Sequence, residues 1–323
     1  MKPILRAAVL AIAAAASPSL ACAAEKLVVA WSPNPQTPQV DVALAEGYFE
    51  DAGLEIEFIS FVSGREGFEA LLGGQVDIAF MAEFPAAIGV LRGQSFGVIG
   101  DLARFTGSRI IGNAEATPLE SPADLAGLTI GTTLGTNVDF YLSRVLETAG
   151  VEATVVNAGP ADLAPALARG DVDAMVTFPT FYASARAALG DDYRELRAPG
   201  YQAHFILSAC GEALADKSEA LAAFMGALVK ADADVKADPS AAQDAVLANL
   251  NGVMPREALV ALWRDVEIGL ELSSGLAELI AEEAAWIVEK GVVNAEAPDA
   301  AAVRAAFAPE ALAAAAPDAV TLD

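Results

Sequence analysis

The stretch LTIGTTLGTNVDFYLSRVLETAG, residues 128–150, decides how this chain is interpreted. An apolar run at 128–130 leads into a turn rich in glycine and threonine, and an amphipathic segment then continues to Gly150. This order predicts a strand, a tight turn and a helix over residues 137–149. The first N–H groups of a helix lack intrahelical partners and lie at its positive end, so the turn suits an anion. The alternative is a plain strand-to-helix connection.

The rest of the chain repeats this alternation of short apolar runs and amphipathic segments, which predicts an α/β architecture. Two segments are similar, EALLGGQVDIAF at 69–80 and PALARGDVDAMV at 165–176. In each, a helix is expected to end at glycine and a strand to open with Val-Asp. Two such units can face each other across a cleft, and ligands of open α/β sheets bind at the carboxyl ends of strands. Beyond Ser218 the sequence predicts an almost entirely helical region.

Residues 1–24 are expected to be a secretory signal peptide. Lys2 and Arg6 precede a short apolar stretch, and small residues surround Cys22. Because the apolar stretch is too short to cross a bilayer, cleavage after Ala24 is predicted, with lipid attachment at Cys22 as the alternative. A periplasmic protein without a later transmembrane helix is therefore expected.

The formal net charge of the 323-residue chain is −25, which argues against nucleic acid and anionic membranes as partners. An anionic ligand remains compatible, because exposed charges more than about 8 Å apart are largely screened at physiological salt. One histidine and two cysteines do not supply a His-rich metal site or a Cys–His pair, and no lysine follows Gly135 as a P-loop requires. The sequence thus predicts no enzyme, no catalytic residue, no metal and no cofactor.

Five segments taken together indicate a family. They are ALAEGYFEDAGLEIEF (43–58), EALLGGQVDIAFMAEFPAAI (69–88), SPADLAGLTIGTTLGTN (121–137), PADLAPALARGDVDAMVTFPTF (160–181) and WRDVEIGLELSSGLAELIAEEAAWIVEKG (263–291). In this order they resemble the periplasmic substrate-binding proteins of ABC importers, of the nitrate, sulfonate and taurine type, with pyrimidine-precursor binders as relatives. The resemblance implies a type II, two-lobed α/β fold, in which each lobe is a mostly parallel sheet flanked by helices, with a helical C-terminal region.

In such a fold, lobe I would comprise residues 25–108 and 203–323, and lobe II residues 109–202, with the hinge at the two crossings. The resemblance also implies capture of a small organic anion or zwitterion, sulfonate- or taurine-like, by hinge closure. The expected partners are this small-molecule ligand and an ABC permease with its ATPase, and a monomer is expected. Two alternatives stay open: a pyrimidine precursor or other aromatic heterocycle as ligand, or a sensor partner instead of a transport component.

The candidate ligand-binding residues follow predicted strands. Gly135, Thr136 and Asn137 match the ligand turn of the family, where Thr136 either only caps the helix or also donates to an anion. Glu83 in the pocket would favour a zwitterion over a plain anion, and otherwise it caps the next helix. A helix N-terminus contributes only about 0.3–2 kcal/mol to anion binding, whereas micromolar affinity requires about 8 kcal/mol. Both lobes must therefore contribute.

Several candidates also have a purely structural interpretation. Trp31 can pack at a strand end, Arg65 can be a solvated surface charge, and His204, near the expected hinge, can be structural. An aromatic heterocycle would instead use Trp31, Phe84, Phe178 and Tyr182 as a sandwich. The full candidate set is Trp31, Ser32, Asn34, Ser63, Gly64, Arg65, Met81, Glu83, Phe84, Gly135, Thr136, Asn137, Gly159, Phe178, Tyr182 and His204.

Overall fold

The structure is a computed structural model that describes residues 24–32, 34–114 and 117–322. The predicted signal peptide, including Cys22, lies outside the described residues except for Ala24. None of the described helices is long and apolar enough to span a bilayer.

The strands of the described residues build two separate sheets. They are β1 (Glu25–Trp31), β2 (Leu54–Ser60), β3 (Ile78–Ala82), β4 (Phe96–Phe105), β5 (Ile110–Asn113), β6 (Thr129–Thr132), β7 (Thr154–Asn157), β8 (Ala174–Val176), β9 (Tyr193–Leu196), β10 (Ala203–Cys210), β11 (Val266–Ser273) and β12 (Val320–Thr321). One sheet has seven strands in the order β12-β11-β4-β10-β3-β1-β2, and the other has five in the order β7-β6-β8-β5-β9. The two-lobed α/β architecture is thereby confirmed.

The α-helices surround these sheets. They are α1 (Pro38–Ala45), α2 (Tyr48–Asp51), α3 (Gly64–Leu72), α4 (Phe84–Leu91), α5 (Asn137–Ala149), α6 (Pro160–Arg169), α7 (Tyr182–Leu189), α8 (Gly211–Asp216), α9 (Ser218–Ala237), α10 (Pro239–Leu250), α11 (Arg256–Leu262), α12 (Ser274–Glu289), α13 (Ala300–Arg304) and α14 (Glu310–Ala315). Strands β4 and β10 are buried along their whole length, so helices cover both faces of the seven-stranded sheet.

The chain crosses between the two sheets twice, once after β4 and once after β9. The parallel pairings that the sequence pattern predicts join β1 to β2 and β3, and β6 to β7 and β8. Next to the crossings the pairing is antiparallel, because β10 returns between β3 and β4, and β5 lies between β8 and β9. Each sheet is therefore mixed, with a parallel half and an antiparallel half.

The expectation of an almost entirely helical C-terminal region is wrong, because β11 and β12 lie in it. Val266, Ile268, Leu270 and Leu272 alternate with glycine or glutamate, which is the period of a strand with one buried face. Strand β11 pairs antiparallel with β4 and parallel with β12. The alternating pattern of this strand is clear in the sequence, but it is short and lies between two longer helical segments.

The repeated Val-Asp pair has the same structural role in both sheets. Asp77 precedes β3, and its carboxylate accepts the N–H of Val28 on the neighbouring β1 at 2.8 Å. Asp173 precedes β8, and its carboxylate accepts the N–H of Thr129 on the neighbouring β6, also at 2.8 Å. Each aspartate thus links the start of one parallel strand to the neighbouring strand. Its carboxylate serves as the acceptor for a backbone N–H at the strand end, and this hydrogen bond fixes the register of the two strands.

Candidate functional site

A cavity of about 600 Å³ lies between the two sheets, at the carboxyl ends of their parallel strands. Loops after β1, β2 and β3 line it from the seven-stranded sheet, and the N-termini of α5 and α6 and the loop after β8 line it from the other sheet. This is where open α/β sheets place ligands.

Most of the sequence-predicted site residues meet at this cavity, although ligand contact itself stays a prediction. They come from six separate segments of the two sheets, which only the tertiary fold brings together. Those that line the cavity are Ser32, Asn34, Ser63, Gly64, Arg65, Met81, Thr136, Asn137, Gly159, Phe178 and Tyr182.

The remaining candidates are not among the lining residues; they are Trp31, Glu83, Phe84, Gly135 and His204. Trp31 is buried behind the cavity wall, with its ring centroid 4.4 Å from that of Phe80. Phe84 belongs to an aromatic cluster with Phe140 and Trp286. The predicted aromatic sandwich therefore does not form, because Trp31 and Phe84 pack in the core while Phe178 and Tyr182 face the cavity.

Glu83 is fully buried in a polar network and neither lines the cavity nor caps α4 through its side chain. Its carboxylate accepts the hydroxyl of Tyr201 and, at 2.8 Å, the N–H of His204. The pKa of Tyr201 is raised well above its ordinary value. Burial is the largest cause, and the nearby charge of Glu83 is the second. Glu83 thus has its partners within the protein, and the zwitterion argument that rested on it loses its support.

His204 is also part of this network, so the structure favours its structural interpretation. Its Nδ1 lies 2.7 Å from Asp101 Oδ2, and both side chains are buried in the middle of the sheet. Burial lowers the pKa of His204, but the hydrogen bond and charge of Asp101 outweigh burial, and the net shift is upward. Arg104, on the same strand as Asp101, places its Nη1 3.8 Å from Asp101 Oδ2.

The glycine-threonine turn before α5 is less open to an anion than the sequence indicates. Asn157 Oδ1 accepts the N–H of Leu134 at 3.0 Å, and Asp139 Oδ2 accepts the N–H of Gly135 at 2.9 Å. Thr136 occupies the N-cap position without a side-chain cap, because its hydroxyl donates to the carbonyl of Thr133 at 2.7 Å. Only the first amides of α5 itself remain for a ligand.

The N-terminus of α3 approaches the same cavity from the opposite sheet. Ser63 caps it by accepting the N–H of Glu66 at 3.3 Å, which leaves its hydroxyl proton for another acceptor. Gly64 packs so closely that a Cβ there would come within 2.7 Å of the Met81 Cα. Arg65 reaches across the cleft, where a Cβ on Gly135 would come within 3.3 Å of its Nη1.

Charge at the cavity depends mainly on Arg65. Helices α3, α5 and α6 each carry an acid in the first turn, namely Glu66, Asp139 and Asp162. These acids offset part of the positive potential of the helix N-termini. Among the described residues lining the cavity, Arg65 is the one cation and Asp162 the one acid.

Sequence reasoning missed the aromatic part of the wall and one loop. Phe61 and Phe80 lie at strand ends, where the strand pattern offered a signal. The end of α10 and the loop after it, at residues 249–251 and 253, also line the cavity. Nothing near them in sequence indicates this, because they reach the site from the C-terminal helical region. These missed residues are Phe61, Val62, Phe80, Phe105, Phe181, Phe205, Asn249, Leu250, Asn251 and Val253.

A match to a known protein family shows which family the chain belongs to. Residues 34–242, more than half of the sequence, match the family described as NMT1/THI5 like. The chain belongs to the NMT1/THI5-like family. This NMT1/THI5-like protein is also 27% identical over 134 residues to an aliphatic sulfonates-binding protein of Escherichia coli (strain K12). That match spans 41% of this chain and 42% of the relative, so it covers about two fifths of either protein.

Solved structures of 18–20% identity share the fold of this NMT1/THI5-like protein. The alkanesulfonate-binding protein SsuA from Xanthomonas axonopodis pv. citri, bound to MOPS, superposes with a TM-score of 0.71, covering 90% of this chain and 100% of SsuA at 20% identity. DszB, a desulfurization enzyme, has been solved as a mutant in complex with biphenyl-2-sulfinic acid. It superposes with a TM-score of 0.67, covering 91% of this chain and 99% of DszB at 18% identity. The fold therefore occurs in both binding proteins and an enzyme.

Among the described residues that line the cavity of this NMT1/THI5-like protein there is no cysteine. Cys210, the cysteine within the described residues, is buried at the end of β10. Its Sγ accepts the N–H of Ala213 at 3.4 Å and caps α8. Its role is structural, as expected for a buried free cysteine.

Proposed function

We propose that this protein is the extracytoplasmic solute-binding component of an ABC importer and captures an organic sulfonate between its two lobes. The observation that carries the proposal is the cavity, which is bounded by helix N-termini from both sheets and by Arg65. The likeness to an aliphatic sulfonates-binding protein and to a structure bound to MOPS supports the ligand class. Binding rather than catalysis is supported by the absence of a nucleophile pair among the described lining residues.

The proposed mechanism is a shift of population towards the closed form. Lobe I would comprise residues 25–108 and 203–323, and lobe II residues 109–202, with the sheet crossings acting as the hinge. A sulfonate that contacts the N-terminus of α3 and that of α5 at once binds only when the lobes approach, so it stabilises that arrangement. A permease with its ATPase would recognise this closed form of a periplasmic monomer.

Arg65 provides the direct test. Replacing Arg65 with methionine keeps much of the side-chain length but removes the guanidinium, whose charged hydrogen bonds are worth about 1.5–3 kcal/mol. We expect the affinity for ethanesulfonate to fall at least tenfold, measured by isothermal titration calorimetry. Arg92→Met, an exposed arginine at the end of α4, is the matched control and should leave the affinity unchanged. If no alkyl or aryl sulfonate raises the melting temperature of the wild-type protein, the proposal is wrong.

A further inference from the structure

One wall of the cavity is a continuous aromatic surface. The rings of Phe80 and Phe205 are stacked with centroids 6.2 Å apart, and Phe205 lies 6.5 Å from Phe105. These three side chains belong to adjacent strands of the seven-stranded sheet, β3, β10 and β4. Trp31 supports Phe80 from behind, and Phe105, only 1% exposed, packs against Phe205. The rings of Phe80 and Phe205 are thus held in place by packing and present an apolar surface to the cavity.

The opposite wall is aromatic as well. Phe178, Phe181 and Tyr182 follow β8 and line the cavity from the five-stranded sheet. The Arg109 guanidinium lies 4.7 Å from the Tyr182 ring centroid and pairs with Glu195 at 2.9 Å. Arg109 therefore fixes the Tyr182 ring, while its own charge is satisfied outside the cavity. A planar group between these walls would contact aromatic rings on both sides.

Two apolar side chains at the cavity are unusually exposed. Val62 is 66% exposed and Val253 is 52% exposed, and they come from the loops after β2 and α10. Each leaves apolar surface in water that a hydrophobic ligand body would cover. The N-termini of α3 and α5 supply a separate polar region of the wall, with Ser63, Arg65 and Thr136.

The size of the cavity fits a ligand larger than taurine. Its volume of about 600 Å³ corresponds to about 20 water molecules at about 30 Å³ each. It lies within the range of about 300–1,000 Å³ that is usual for drug-sized ligands. An ammonium group would find Asp162 as the single acid among the described lining residues, since Glu83 has its partners in the core.

We infer that the ligand is a monoanion with an aromatic body, an aryl sulfonate rather than a short alkyl sulfonate or taurine. The sulfonate lies at the N-termini of α3 and α5 next to Arg65, and the ring lies between Phe80 and Phe205 on one side and Phe178 and Tyr182 on the other. This inference rests on the proposed function, because it names the ligand class of the same site.

The first experiment compares probes that share a head group or a body. Isothermal titration of the full chain uses naphthalene-2-sulfonate, benzenesulfonate, ethanesulfonate and taurine, together with 2-naphthoate and the neutral 2-naphthalenemethanol. We expect naphthalene-2-sulfonate to bind at least tenfold more tightly than ethanesulfonate and taurine. Tighter binding of 2-naphthoate would assign a carboxylate head group and overturn the sulfonate assignment. Equal affinity for the neutral probe would overturn the anion assignment.

The second experiment removes one ring from the wall. Phe178→Ala should weaken naphthalene-2-sulfonate about tenfold and leave ethanesulfonate within twofold, because only the larger ligand reaches that ring. Phe307→Ala is the matched control, since Phe307 pairs with Val98 near the start of β4 and does not line the cavity. Equal losses for both sulfonates in Phe178→Ala would overturn the aromatic assignment. In that case ethanesulfonate binding would still uphold the proposed function, whereas binding of no sulfonate at all would refute both.

Discussion

Glu283 is the residue whose surroundings differ most from what its type prefers. It lies on α12 and is fully buried. Neither of its carboxyl oxygens has a hydrogen-bond partner within the described part of the chain. Burial, and then the charge of Glu83, raise its pKa well above the ordinary range. The raised pKa favours a protonated Glu283 carboxyl, which can donate a hydrogen bond where a carboxylate can only accept one.

Glu283→Gln should therefore change stability in a pH-dependent way. A carboxyl whose folded-state pKa is raised contributes stability below its unfolded pKa, and this contribution is lost as the pH rises towards the folded value. Glutamine keeps a donor for Glu83 without that loss, so the variant should gain on the wild type as the pH rises from 4.5 to 8. Urea unfolding at both pH values measures this difference. Glu278→Gln, an exposed position on the same helix, should show none, and a pH-independent difference for Glu283→Gln would contradict a raised pKa of Glu283.

Single residues show why the sequence could not assign Glu83. The sequence correctly marks it as an unusual acid after a buried strand, but its partners Tyr201 and His204 lie 118 and 121 positions away. Local pattern carries no information on contacts at that separation. Arg65 lies in the first turn of a helix that directly follows a strand end, so its place at the cavity edge has a local signal.

At the scale of elements, helix α5 spans residues 137–149 as the sequence predicts. Periodicity defines this helix because its buried face repeats every three to four residues. The state of the preceding turn was not predictable in the same way. Whether its N–H groups are available depends on Asn157 and Asp139, and the choice between a ligand and the chain's own side chains is made by tertiary geometry.

Helix α3 depends on Gly64 for its position against the sheet. In Gly64→Ala the new Cβ would meet the Met81 backbone at 2.7 Å, so the helix start must move away from β3. We expect a loss of about 1–3 kcal/mol in the free energy of unfolding, measured by urea denaturation, and weaker sulfonate binding.

Gly226→Ala in α9 is the matched control, because the nearest neighbour of the new Cβ would be 3.9 Å away. There alanine should stabilise the helix by up to about 1 kcal/mol. Equal effects of the two substitutions would contradict the packing argument.

At the scale of the molecule, the sequence predicted two facing α/β units and a cleft, and the structure has both. Repeated local signals, such as the Val-Asp pairs, made this possible. Phe178 and Tyr182 were among the predicted site residues, but the facing wall with Phe80 and Phe205 could not be predicted, because its residues lie far apart in sequence. Phenylalanine at a strand end looks the same in sequence whether it faces the core, as Phe84 does, or the cavity, as Phe178 does.

The two sheets are also connected outside the cavity, through the contact of α12 with α5. The Trp286 ring lies 5.5 Å from that of Phe140, and its Nε1 donates to Ser143 at 3.2 Å. Lys290 Nζ lies 2.6 Å from Glu147 Oε1. Helix α5 thus begins at the cavity and is held along its length by a helix that packs on the seven-stranded sheet, where α12 also contacts α4.

This contact should favour the arrangement in which Arg65 meets Gly135 across the cleft. Lys290→Glu places two like charges at the α12–α5 contact, and half-exposed ion pairs are worth at most about 1 kcal/mol. The equilibrium constant that favours the observed arrangement over more open ones should therefore fall by up to about fivefold. Small-angle scattering of the ligand-free protein should show a larger radius of gyration, most clearly at low salt because added salt screens the pair. The swap Glu147→Lys/Lys290→Glu restores opposite charges and should restore the wild-type radius. A double variant as expanded as the single one would mean that the Lys290–Glu147 pair does not control the arrangement of the lobes.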